Sequence, residues 1–164
     1  MENSSQNHVY VDMMVDALKR KKKILASLLE KTKEQELLLK NDELDQERFN
    51  ALIQQKGTEI DELNKIDEGF DSLFKFVEKE IMANRSSYKT EIQTMQKLIA
   101  EVSELGIQIQ ALEHQNSGHF KVYLANQRKT IHDFHMNSKT ASSYYQNMAN
   151  THKPEQSYFF NETK

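Results

Sequence analysis

The 164-residue chain has no cysteine, a single proline (Pro154) and four scattered glycines. Without cysteine there is neither a disulfide nor a thiolate metal site, which suits a reducing compartment. Proline and glycine are the residues that most often break helices, and their scarcity permits long uninterrupted ones. No apolar run approaches the roughly 18 residues that a membrane span requires. The polar start from Met1 to Asn7 does not read as a secretion signal. A cytoplasmic protein without membrane insertion is therefore expected. Also missing are a glycine-rich phosphate loop, a nucleophile motif and carboxylates paired outside a generally acidic segment. No enzymatic activity and no cofactor are expected.

What the chain does contain is charge, at 29% of residues, arranged with helical periodicity. Phe49, Ile53, Lys56, Ile60, Leu63, Asp67, Phe70, Phe74, Val77 and Ile81 follow a strict four-then-three spacing, and eight of these ten are apolar. Such a seam is stable in water only when another helix covers it. Upstream, a first helix is predicted over His8 to Lys40, with Val11, Met14, Leu18, Leu25, Leu28 and Leu29 at helical spacing. Asn41 and Asp42 read as a stop and a new cap, giving a tight antiparallel hairpin. Residues 8–41 carry eight basic and five acidic side chains, whereas 42–83 carry five and twelve, so the two helices have complementary charge. Pairing outward from the turn places Lys56 near Glu30, and Asp67 near Asp16, Lys19 and Arg20. Polar residues inside a seam usually fix its register.

Ala83 to Ser87 is read as the next turn. A third helix follows, with a wide stripe of Ile92, Met95, Leu98, Ile99, Val102, Leu105, Ile109 and Leu112, broad enough to cover two neighbours, and with Gly106 allowing close approach. The expected fold is all-α: an elongated antiparallel helical hairpin plus a long third helix, a coiled-coil-like three-helix bundle. The pattern lapses through Gln115, Asn116, Ser117 and Gly118. It resumes at Phe120, Tyr123, Leu124, Ile131 and Phe134, a stripe with no evident internal partner. From Asn137 the composition turns to Asn, Ser, Thr, Gln and Lys, which divides the chain into a helical domain, 1–136, and a flexible polar tail, 137–164. The tail nonetheless contains Tyr144, Tyr145, Met148, Tyr158, Phe159 and Phe160, the composition of a docking segment or of rings that pack back on the bundle.

Lys19 to Lys23 form a run of five basic residues. They circle a helix and lack interleaved aromatics, so a solvated patch facing the acidic second helix is expected rather than a nucleic-acid site. His132, Asp133 and His135 fall short of the three or four ligands of an ordered zinc site, and no metal is expected.

Leu28, Leu29, Glu34, Glu36, Leu37, Leu38, a turn acid at Asp42 or Asp45, Leu52, Lys56, Ile60 and Leu63 together resemble the N-terminal half of the FlgN family of flagellar export chaperones. The tail from Lys139 through Tyr144, Tyr145 and Met148, then Tyr158 to Phe160 and Lys164, looks like that of clostridial-type members, although its Asn161-Glu162-Thr163-Lys164 ending departs from the more charged one expected. The resemblance implies a cytoplasmic type III export chaperone. Such a protein binds the C-terminal helical segments of hook–filament junction (hook-associated) proteins and delivers them to the export gate. The partner-binding residues would be Phe120, Tyr123, Leu124, Ile131, Phe134, Tyr144, Tyr145 and Met148, with a gate contact through Tyr123, Tyr144 or Tyr145. The alternative is a structural coiled coil that homo-oligomerises, for example as a homodimer, through its seams.

Overall fold

A computed structural model describes residues 2–127. It consists of three helices, α1 (Glu2–Leu39), α2 (Gln46–Ala83) and α3 (Lys89–Gln127), with a 3-10 turn at Arg85–Tyr88. Each helix spans about 57 Å at 1.5 Å per residue. The fold is an all-α three-helix bundle, as the apolar spacing predicts. α1 and α2 run antiparallel, and α3 returns parallel to α1, packing its backbone closely on α1 and meeting α2 through side chains. Lys22 of α1 pairs with Glu101 of α3, Lys21 with Asp67 of α2, and Phe49 of α2 stacks on Phe120 of α3.

The core is layered along the bundle axis. Near the α2–α3 turn, Val11, Met14, Val15, Leu18, Phe70, Phe74, Val77, Ile81, Tyr88, Ile92, Met95 and Leu98 interdigitate. A second layer holds Leu25, Leu28, Leu29, Ile60, Leu63, Val102 and Ile109, and Gly106 is buried beside it. The α2 seam is buried with two shifts, Leu52 taking the place of Ile53 and Ile66 that of Asp67. A straight helix drifts by about 20° per heptad from a 3.5-residue repeat, and α2 faces two partners rather than one.

The connections correct two sequence expectations. The first turn occupies residues 40–45, and the cap is Asp45, whose carboxylate accepts from the Arg48 amide at 3.0 Å; Asp42 is exposed in the loop. This longer connection displaces the hairpin register. Glu30 is exposed and meets Lys33 of its own helix at 3.4 Å instead of Lys56. Asp67 pairs with Lys21, the residue after Lys19 and Arg20, at 2.6 Å. The second connection is a turn, as expected: the Asn84 amide donates to Glu80 O and the Ser87 amide to Asn84 O, both at 3.0 Å. At Gly118, where the sequence pattern lapses, α3 continues unbroken to Gln127.

Candidate partner-binding surfaces

Beyond the second apolar layer lies a polar one built from all three helices. Lys56 (α2), 5% exposed, donates to Gln35 Oε1 (α1) at 2.7 Å and forms an ion pair with Glu113 (α3), itself 7% exposed. Asn116 Nδ2 donates to the Thr32 carbonyl at 3.0 Å, and the Thr32 hydroxyl donates back to Leu28 O at 2.7 Å. Burial pushes the Lys56 ammonium below its usual 10.5, and the Glu113 carboxylate offsets part of that. A buried ion pair costs desolvation on both sides, so its use is registry: only one sliding position of the helices satisfies it.

The end of the bundle beyond this layer is aromatic. Phe120 stacks on the fully buried Phe49, with centroids 4.9 Å apart and planes at 7°, and lies 6.0 Å from Tyr123. Gln46 Nε2 donates to the Tyr123 hydroxyl at 2.8 Å, and Leu124 is buried. The expectation that this stripe lacks an internal partner is thus corrected for Phe120, Tyr123 and Leu124. α3 is long enough to reach the start of α2 and spends these side chains closing the bundle. The other predicted contact residues, Ile131, Phe134, Tyr144, Tyr145 and Met148, lie outside the described residues. So do the 136/137 domain boundary, His132, His135 and Tyr158 to Phe160.

The basic run is divided among partners. Arg20 lies 4.0 Å from Glu62, Lys21 is buried against Asp67, Lys22 pairs with Glu101, and Lys19 and Lys23 are exposed. The Lys22 ammonium, through its hydrogen bond, holds the Glu101 carboxyl below its ordinary value. The expected facing onto α2 therefore holds for part of the run, and Lys22 turns to α3. Among the described residues no group of three or more His, Asp or Glu could hold a metal, and no helix is long and apolar enough to cross a membrane.

Among the described residues an apolar groove lies open between α1 and α2. It has a volume of about 820 Å³ and is lined by Met13 and Ala17 from α1 and by Ile66, Gly69, Phe70 and Leu73 from α2. Its far end is polar, with Asp16, Arg20, Thr58, Asp61, Glu62 and Lys65. At the apolar end, Tyr10 lies 5.8 Å from Phe76, which is 72% exposed; Met13 is 48% exposed. Apart from its own helix backbone and chain neighbours, nothing lies within 4 Å of where a Gly69 side chain would begin, so the groove is open there. Sequence reasoning missed this surface because its most exposed apolar residues sit one position off the seams, Phe76 beside Val77 and Met13 beside Met14. Their legible signal was large apolar residues on a helix flank whose seam was already complete. Family models, curated proteins and solved structures searched with this chain give no match.

Proposed function

We propose that this chain is a helix-binding chaperone of flagellar type III export, the role implied by its resemblance to the FlgN family. In this reading it acts in the cytoplasm, without catalysis or cofactor. It holds the amphipathic C-terminal helices of hook–filament junction proteins soluble and unpolymerised, and delivers them to the export gate. The observation that carries the reading is the groove between α1 and α2. Large apolar side chains such as Phe76 and Met13 beside an open channel are what an amphipathic helix laid into a groove requires. From Thr58 to Leu73 the groove wall runs about 22 Å, the length of four helical turns.

Calorimetric titration of purified junction-protein C-terminal segments into the full chain tests this. A saturable complex is expected, weakened at least about tenfold by Phe76→Glu with the melting temperature unchanged. No binding by any junction protein would end the reading. Point substitution is preferred to shortening α3, since truncation removes Asn116, Phe120 and Leu124 from the bundle. The second reading is a structural coiled coil that self-associates, for which the exposed Phe76, Met13 and Met82 side chains would supply the surface. Sedimentation equilibrium distinguishes the two, because a chaperone that is monomeric alone but binds client contradicts the rod.

A further inference from the structure

The described bundle ends at Gln127, leaving 37 residues that carry Ile131, Phe134, Tyr144, Tyr145, Met148, Tyr158, Phe159 and Phe160. Among the described residues the bundle leaves an apolar groove open between α1 and α2. We propose that the chain's own C-terminal segment, residues 128–164, occupies the α1–α2 groove, with its aromatic residues on Met13, Leu73 and Phe76. The segment is then a built-in competitor for whatever helix the groove receives.

Reach, charge and chemistry support this occupant. The Gln46–Tyr123 hydrogen bond fixes the end of α3 beside the start of α2. From there to the stretch between Ile66 and Phe76 is about 30–45 Å along α2. Tyr144 lies 17 residues beyond Gln127 and Phe160 lies 33. At about 3.3 Å per extended residue the chain reaches roughly 56 Å by Tyr144 and twice that by Phe160, enough to round the bundle and lie along the groove. The segment carries five basic and three acidic side chains, against five and nine on α2, and the groove lining has three acids (Asp16, Asp61, Glu62) to two bases. A second copy is the poorer occupant. Two such grooves facing each other would bring acid-rich α2 rims together, a like-charge arrangement that opposes association.

The test uses the full chain with Phe159 replaced by photoreactive benzoylphenylalanine, mixed in equal amounts with isotope-labelled chain, irradiated and mapped by mass spectrometry. Crosslinks within one chain onto Met13, Leu73 or Phe76 are expected. In a Phe76→Glu or Met13→Glu background their yield should fall about tenfold, the loss of one anchor, while helicity and melting stay as in the parent, since both side chains are exposed. Crosslinks formed only between labelled and unlabelled chains would overturn the proposal in favour of a dimer. Crosslinks elsewhere, or none, would overturn it outright. A second probe at Tyr145 guards against a single badly placed label and is read by the same criteria. The experiment contains no client, so its failure leaves the chaperone reading standing, and the absence of client binding leaves this inference standing.

Discussion

Replacing Lys56 alone should be costly, and replacing it together with Glu113 should not. Lys56 is buried against Gln35 and Glu113, and Glu113 is 7% exposed. Lys56→Leu leaves the carboxylate in the core without its cation, which costs about 3–5 kcal/mol. For a chain of this size that corresponds to a fall in Tm of roughly 6–20 °C. In Lys56→Leu/Glu113→Leu both charges are gone. Exchanging a buried pair for apolar side chains is neutral or stabilising by about 1–4 kcal/mol, set against about 1–3 kcal/mol for the Gln35 amide left without a partner. The double variant should therefore melt within a few degrees of the parent. Circular dichroism at 222 nm during heating, with urea titration as a second measure, provides the cycle. A pH series adds an independent sign. The folded chain holds the Lys56 proton less tightly than the unfolded chain, which titrates near 10.5. Between the folded pKa and 10.5 the unfolded state binds more protons, so the site's contribution to stability increases as pH rises through that window. The double variant should lack that slope, so it should remain as the pH dependence of the difference between parent and double variant. If the single and double variants are equally destabilised, or the single variant is as stable as the parent, the buried pair is not where the structure places it.

Two further outcomes follow from single positions. The buried Tyr88 hydroxyl meets no hydrogen-bond partner among the described residues, so Tyr88→Phe should stabilise by about 1 kcal/mol in urea unfolding. Burial, with Glu80 and Glu91 nearby, raises the Tyr88 pKa above 10.0, so its contribution to parent stability is full below that value and declines as pH rises through the folded pKa; the phenylalanine variant should lack this alkaline loss. Phe120→Ala removes a half-buried ring stacked on Phe49 and should cost about 2 kcal/mol, near half the penalty of a fully buried phenylalanine. A urea midpoint unchanged from the parent would show that the aromatic end does not close the bundle.

The helices, the hairpin, the return of the third helix and most of the buried seam are written locally along the chain. These rest on local periodicity, on capping residues and on the near absence of proline and glycine, all legible within a few turns of chain. The sequence also singled out Lys56 as a charge inside the seam. Tertiary structure decided what Lys56 meets, because a turn closing at Asp45 rather than Asp42 moves the register and Glu113 arrives from a helix far away in sequence. It likewise decided the fate of Phe120, Tyr123 and Leu124. Their stripe gives no hint of whether α3 is long enough to reach Phe49 and Gln46. The groove beside Phe76 belongs to neither helix alone; it forms where α1 and α2 pack side by side while α3 lies mainly against α1.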